Sequence, residues 1–217
     1  MQADKGCVCT DTCRFYEGRP DDTPPECPSR KHPDVLDEAR RIYKDPSSDA
    51  HKLWQAFGRL IHTGGAKKSR VEHVVDFCRS LGVDTLGVAS CLRYIKEAHY
   101  LKSLFEEQGW RAHVAICKLG GFKVEDVAVE KDTDWIVCNP LGQALLLNKL
   151  GCQVNVTLGL CMGHDMIFNR YSQAYTTNLV VKEKISGERS LDTLHSIMAG
   201  DHSCDFHKFS AEEAIKS

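Results

Sequence analysis

The chain has 217 residues and a formal net charge of -2, and its sequence pI is about 6.5. This length allows one α/β domain of ordinary size with a small additional segment. Lys and Arg form no basic stripe, so we expect no nucleic-acid partner. No apolar run approaches the roughly 20 residues that span a bilayer, and the N-terminus has no pattern of an export signal, so we expect a cytoplasmic protein without a membrane partner.

Cysteine is the unusual component of the composition. The sequence contains 11 cysteines, and a reducing cytoplasm keeps thiols free. A cysteine-rich intracellular chain therefore favours metal binding or thiol chemistry over disulfides, and the odd count argues against a fully paired disulfide scaffold.

Residues 1–33 are predicted to form a cysteine-rich metal-binding segment. They contain five of the seven prolines, almost no apolar periodicity, and the cysteines Cys7, Cys9, Cys13 and Cys27. Such a segment folds around a metal or lies against a larger domain, because its own apolar burial cannot offset chain entropy. Its C-x-C-x3-C spacing suits a cluster or zinc, and matches neither zinc fingers nor ferredoxins. Alternatively, the segment folds over the main site and donates only one or two ligands.

Residues 34–200 are predicted to form an α/β domain with a helical lead-in, followed by a tail over 201–217. Apolar spacing predicts lead-in helices over 34–44 and 47–62. Ser69 with Glu72 is a capping-box signature that opens a further helix.

Strands and helices then alternate along the chain. Apolar runs predict short strands over 85–90, 113–116, 135–137, 154–160 and 178–181. Helices are predicted to begin near Leu92 and at Pro140, and another surrounds Met166. This order predicts an α/β fold with a mostly parallel, doubly wound sheet and helices on both faces.

Four cysteines follow four of the predicted strands. They are Cys91, Cys117, Cys138 and Cys161. The carboxyl ends of parallel strands form the edge where ligands bind, so we expect these thiols to converge there. Three of them stand just before a predicted helix, whose N-terminus stabilises negative charge and lowers a thiol pKa. The alternative is that four small apolar residues merely fill strand ends in a core.

The spacing of the strands limits which metal centre fits this edge. Neighbouring strands lie about 4.8 Å apart, so four strands cover roughly 14 Å. One cubane is too small to reach all four thiols directly, so three adjacent thiols and an iron left open to substrate or another ligand fit this distance better than a closed four-cysteine site. Zinc needs tetrahedral ligands about 2.3 Å from the metal, which is a tighter arrangement. We therefore expect an iron-sulfur cluster, in the 4Fe-4S form, with zinc as the alternative.

The expected function is redox or sulfur-handling chemistry on a small-molecule substrate or with a redox partner protein. His164 and Asp165, which follow Cys161, can orient a substrate or supply a proton, although a helix-start Asp is often only a cap. Asn139 beside Cys138 is a similar candidate. Two alternatives remain open: a zinc or iron carrier without catalysis, and a metal-free thiol catalyst with Cys161 as nucleophile and His164 as base.

Several motifs carry a resemblance to a known family. They are the N-terminal cysteines with Glu26-Cys27-Pro28, Cys138-Asn139-Pro140, Gly159-Leu160-Cys161-Met162-Gly163-His164-Asp165, and Leu179-Val180-Val181-Lys182. From about Cys7 to Lys184 the chain resembles an uncharacterised family of cysteine-rich proteins of bacteria and archaea, classed as a domain of unknown function. The resemblance implies metal binding and no particular reaction. The tail beyond about Ser190 departs from the family's pattern.

Overall fold

The computed structural model describes residues 6–9, 12–62, 68–127, 135–183 and 187–199. The chain divides into two compact units between Lys68 and Ser69. The helical lead-in, which the sequence analysis grouped with the α/β domain, lies in the first unit. The predicted tail over 201–217 lies outside the described residues.

The first unit is built from short helices. A 3-10 turn, Pro20–Asp22, is followed by α1 (Pro28–Lys31), α2 (Pro33–Lys44) and α3 (Asp49–His62). Helices α1 and α2 each begin with proline, whose fixed φ suits the first helical turn. Helices α2 and α3 are in contact, which confirms the two lead-in helices predicted from apolar spacing.

The second unit begins with helix α4, Arg70–Leu81. The Ser69 hydroxyl accepts a hydrogen bond from the Glu72 N–H, and the Glu72 carboxylate accepts one from the Ser69 N–H. The capping box predicted from the sequence is therefore confirmed. Gly82 ends the helix with a φ of 72°, a left-handed conformation that glycine adopts without strain.

Four parallel strands form the sheet in the described part of this unit. They are β1 (Thr85–Ser90), β2 (Arg111–Ile116), β3 (Val154–Leu158) and β4 (Tyr175–Val180), in the spatial order β2-β1-β3-β4. The helices that follow α4 are α5 (Ile95–Glu107, after a 3-10 turn Leu92–Tyr94), α6 (Val124–Val127), α7 (Pro140–Lys149), α8 (His164–Tyr171) and α9 (Ser190–Met198). The predicted α/β class is confirmed.

Helices cover both faces of the sheet, because side chains alternate along each strand. Leu86 and Val88 of β1 belong to an apolar cluster with residues of α4 and α5. Ala89, which points to the other face, belongs to a second cluster with Leu147 of α7 and Phe168 of α8. The carboxyl edge of the sheet therefore lies between two packed helical layers.

The predicted strand over 135–137 is wrong. Ile136 makes only an isolated antiparallel bridge with Lys123, and the Val137 N–H donates to the Phe122 carbonyl at 2.8 Å. Trp135 is 76% exposed and Ile136 is 43% exposed. Three apolar residues are therefore not enough here to form a buried strand, and the segment pairs with the loop after β2 instead.

Strand β3 ends earlier than predicted, at Leu158 instead of Leu160. The next residue, Gly159, has a φ of 56°, which turns the chain away from the extended conformation. A Cβ at Gly159 would collide with the ring of Tyr94, so glycine allows the close approach of that ring. The chain then continues through a short turn to Cys161.

In the described ranges, no helix combines the length and the apolar character that crossing a bilayer requires. The cytoplasmic compartment expected from the sequence stays a prediction.

Candidate functional site

The carboxyl edge of the sheet carries three cysteines and a lysine. Cys117 directly follows β2 and Cys91 directly follows β1, while Cys161 lies three residues after β3 and Lys182 two residues after β4. The strand order therefore arranges them along the edge as Cys117, Cys91, Cys161 and Lys182. From β1 the chain crosses to β2 on one side of β1, whereas β3 lies on the other side of β1. The strand order therefore reverses between β1 and β3, and such a topological switch point is the usual ligand position in parallel sheets.

The backbones of Cys91 and Cys117 extend the sheet ladder by one residue. The Cys117 N–H donates to the Ser90 carbonyl at 2.9 Å, and the Cys91 N–H donates to the Leu158 carbonyl at 3.0 Å. The two side chains are near enough that Cys117 contributes to a lowered pKa of Cys91. The paired strands thus fix the positions of both thiols.

Backbone N–H groups at the start of the 3-10 turn point at these sulfurs. The Leu92 N–H donates to Cys117 Sγ at 3.2 Å. The Arg93 N–H donates to the Cys91 sulfur. These donors stabilise negative charge on sulfur, in the way that a helix N-terminus stabilises an anion.

Lys182 lies between two of the thiols. Its ammonium group is 3.4 Å from Cys91 Sγ and 3.2 Å from Cys161 Sγ. Burial raises the pKa of Cys91, but the Arg93 N–H, Lys182 and the Cys117 thiol outweigh it, so the net effect is a lowered pKa. The hydrogen bond to Cys161 is the main cause of a raised pKa of Lys182, so the ammonium form is favoured.

Cys138 reaches the same edge from a loop and not from a strand end. The N–H of the next residue, Asn139, donates to the Cys117 carbonyl at 2.7 Å, which brings the backbone of Cys138 beside Cys117. Burial, followed by the hydrogen bond and charge of Cys138 and the charge of Cys91, raises the pKa of Cys117 to about 11. Cys117 is therefore a neutral thiol that can donate its proton to either neighbouring sulfur.

Asn139 is buried and holds the start of α7. Its Oδ1 accepts from the Gly142 N–H at 2.7 Å, and its Nδ2 donates to the Leu119 carbonyl at 3.2 Å. Both ends of the amide are thus engaged within the fold, and these contacts fix the backbone beside Cys138. The catalytic role expected from the sequence stays a prediction.

Helix α8 begins beside Cys161. The N–H groups of His164 and Asp165 both donate to the Cys161 carbonyl, at 2.9 and 3.1 Å. Burial and the charges of Lys182 and Lys118 lower the pKa of His164, which favours the neutral imidazole. The Asp165 carboxylate accepts from the Met166 N–H at 2.8 Å, the local contact of a residue at a helix start.

A polar network holds the chain that follows Lys182. The Glu188 carboxylate accepts hydrogen bonds from the Tyr94 hydroxyl and the Glu183 N–H. Arg93 lies 3.5 Å from the same carboxylate. The 3-10 turn that donates to the cysteine sulfurs is thereby tied to the segment that carries Lys182.

The N-terminal cysteines lie in the first unit. Cys7 and Cys13 are exposed, Cys9 is half-buried, and Cys27 is buried at the start of α1. All ten cysteines in the described ranges are free thiols. No three His, Cys, Asp or Glu side chains among the described residues are gathered so that they could hold a metal ion. The ligand roles of all eight predicted cysteines stay predictions.

Sequence reasoning missed Lys182 as a site residue. Its position after the last strand of the sheet was the available signal, because that edge was already predicted to carry the thiols. Two other cysteines lie in packed apolar clusters: Cys78 on α4 and Cys152 just before β3. The structure thus separates the cysteines of the edge from those of the core.

Comparison with known proteins agrees with the resemblance seen in the motifs. A family described as "Protein of unknown function (DUF1847)" matches residues 27–179. The "Uncharacterized protein MJ0455" of Methanocaldococcus jannaschii is 31% identical over 134 residues, which cover 60% of this chain and 68% of the relative. No solved structure matches the chain. The predicted membership of an uncharacterised family is confirmed.

Proposed function

The chain belongs to DUF1847, a protein family of unknown function, and we propose that it binds a metal centre at the carboxyl edge of its sheet, an iron-sulfur cluster in preference to zinc. One observation carries the proposal. Cys117 lies near enough to Cys91 and Cys138 for the side chains to shift one another's pKa values, and the Lys182 ammonium contacts both Cys91 and Cys161. Four thiols from distant parts of the chain therefore lie in a row along this edge, although no three of them are gathered around one point among the described residues.

The charges around these sulfurs support metal binding. A metal takes up the thiolate form, so ligand cysteines must lose their protons. The Arg93 N–H and the Lys182 ammonium favour the thiolate of Cys91, and the Leu92 N–H opposes the burial that keeps Cys117 a neutral thiol. Hydrogen bonds to sulfur also tune the potential of a bound cluster.

The arrangement of the thiols supports a cluster more than a single ion. The sulfurs follow one another along the sheet edge, in the sequence Cys138, Cys117, Cys91 and Cys161. Zinc would need four donors about 2.3 Å from one point, whereas a row of thiols on strands about 4.8 Å apart suits a larger centre. An iron with an open position would supply Lewis-acid or redox chemistry at this edge.

The protein's own residues suggest how a substrate would be held. Lys182 and Lys118 act on His164 from nearby, so the region beside Cys161 carries positive charge. This charge favours a small anionic molecule as the substrate. The alternative is that a redox partner protein binds and exchanges electrons with the site. We propose redox or sulfur-handling activity on this basis.

Anaerobic purification followed by iron and acid-labile sulfide analysis tests the proposal. We expect bound iron and sulfide in the unchanged protein and a large loss in Cys91→Ala, Cys138→Ala and Cys161→Ala. Cys152→Ala is the matched control, because Cys152 is also buried but lies in an apolar cluster. Full cluster content in all three edge variants would refute the proposal. Zinc without iron would favour the carrier alternative.

A second candidate is metal-free thiol catalysis with Cys161 as nucleophile. It is favoured by the 3.2 Å contact of Cys161 Sγ with Lys182 and by the lowered pKa of the neighbouring His164. A cysteine that contacts a cation and has a neutral histidine near it in the chain carries the groups that activate a nucleophile. In metal-free folded protein, Cys161 should then react with iodoacetamide much faster than Cys152, and His164→Gln should slow that reaction.

A further inference from the structure

We infer that Cys117 and Cys138 form a reversible disulfide, a modification site within the thiol edge. The Asn139 N–H, next to Cys138 in the chain, donates to the Cys117 carbonyl at 2.7 Å, and the side chain of Cys138 is near enough to contribute to the raised pKa of Cys117. This backbone contact keeps the two α-carbons close, within reach of the separations of about 4.4 to 6.8 Å that disulfides span. Both residues are free thiols in the structure.

The alternative partner for Cys117 is Cys91, and the structure argues against it. Cys91 and Cys117 are both buried, and the backbone of each is held in the sheet ladder. Cys138 is half-buried and follows a loop segment, whose bridge at Ile136 lies outside the sheet. Cys138 is therefore easier for a small molecule to reach than either buried cysteine.

The chemistry requires an oxidant, for which we take a low-molecular-weight disulfide. The Cys138 thiolate attacks one sulfur of that disulfide, its S–S bond breaks, and the first small thiolate leaves and takes up a proton. Cys117 then loses its proton and attacks the Cys138 sulfur, which releases the second small thiolate. The two protein thiols are oxidised by two electrons, and the small disulfide is reduced to two thiols.

The disulfide has a consequence that rests on the proposed function. It removes two of the four sulfurs from the edge and leaves Cys91 and Cys161 with Lys182 between them. A metal centre that needs Cys138 could then not bind. Oxidation would therefore switch metal loading off, and reduction would restore it.

The test uses the full chain, purified under reducing conditions, freed of reductant and treated with oxidised glutathione. Trypsin separates the relevant thiols, because Cys117 lies in the peptide 112–118, Cys138 in 132–149 and Cys91 in 80–93. Under non-reducing conditions, mass spectrometry should find 112–118 joined to 132–149, and dithiothreitol should release them.

Two variants make the order of events testable. In Cys117→Ser, the glutathione adduct should accumulate on Cys138, because the resolving thiol is missing. In Cys152→Ser, the matched control, the crosslink should form as in the unchanged protein. A crosslink between 80–93 and 112–118, or a stable adduct on Cys138 in the unchanged protein, would overturn the inference.

Metal analysis distinguishes this inference from the proposed function. If the crosslink forms but reduced protein binds neither iron nor zinc, the disulfide stands and the metal proposal fails. If reduced protein binds metal but the crosslink never forms, the metal proposal stands and the disulfide inference fails. If both hold, oxidised protein should take up far less metal than reduced protein.

Discussion

The ionisation of Cys78 allows one prediction to be worked out from the structure. Its side chain is fully buried in the apolar cluster between α4, α5 and the sheet, and burial raises its pKa from 9.0 to about 12. Between these two values the folded state holds a proton that the unfolded chain has lost. Stability from this group is therefore complete below pH 9 and is lost as the pH rises towards 12.

The magnitude follows from the two pKa values. With 9.0 in the unfolded chain and about 12 in the fold, the loss is about 1.4 kcal/mol at pH 10 and approaches about 4 kcal/mol above pH 12. Cys78→Ala should remove this contribution. Between pH 7 and pH 10, the free energy of unfolding of this variant should fall by about 1.4 kcal/mol less than that of the unchanged protein.

Urea denaturation at the two pH values measures this difference. Val74→Ala is the matched control, because Val74 lies on the same helix and in the same cluster but does not ionise. Val74→Ala should lower the free energy of unfolding by the same amount at pH 7 and at pH 10, relative to the unchanged protein. An equal pH-dependent loss in Cys78→Ala and in the unchanged protein would show that the Cys78 thiol does not carry the effect.

Three further substitutions test the packing and electrostatics around the site. Gly87→Ala should lower the free energy of unfolding by about 1 to 3 kcal/mol, because a Cβ would collide with the buried Asn155 carboxamide. Thermal unfolding measures this loss of stability, and an unchanged midpoint would contradict the prediction. Asn139→Ala should cost about 1 kcal/mol in urea denaturation, since it removes the cap on the Gly142 N–H. Asn139→Asp keeps an acceptor for that N–H but loses the donor to the Leu119 carbonyl, so it should also lower stability. Lys182→Met should slow the alkylation of Cys91 and Cys161 by iodoacetamide, whereas Lys182→Arg should preserve their reactivity. Equal alkylation rates in the two variants, measured by peptide mass spectrometry, would show that the charge at position 182 does not activate these thiols.

The position of the site could be predicted from the sequence because its signals are local. Buried apolar runs followed by cysteine place Cys91 and Cys117 at the ends of β1 and β2. Parallel strands joined by helices must bring their carboxyl ends to one edge. The capping box at Ser69 could likewise be predicted from the sequence, because its two hydrogen bonds join residues only three apart.

The route of Cys138 to that edge could not be predicted, because it depends on long-range pairing. The run over 135–137 has the apolar composition of a short strand, but whether it joins the sheet depends on which backbone it pairs with. It does not pair with β2, whose outer edge stays unpaired in the described residues. It pairs with Phe122 and Lys123 instead. Composition over three residues does not distinguish these outcomes.

Lys182 illustrates a second limit. Its role arises from the order of the strands, since β4 lies beside β3 and brings the ammonium over Cys161 and Cys91. The lysine supplies a positive charge to both of these sulfurs. A bound metal centre would supply that charge itself, so under the proposed function Lys182 must either turn away or remain as a hydrogen-bond donor to the ligating sulfurs. In the second case Lys182→Met would shift the potential of the cluster downward, because a hydrogen-bonding cation stabilises its more negative, reduced form.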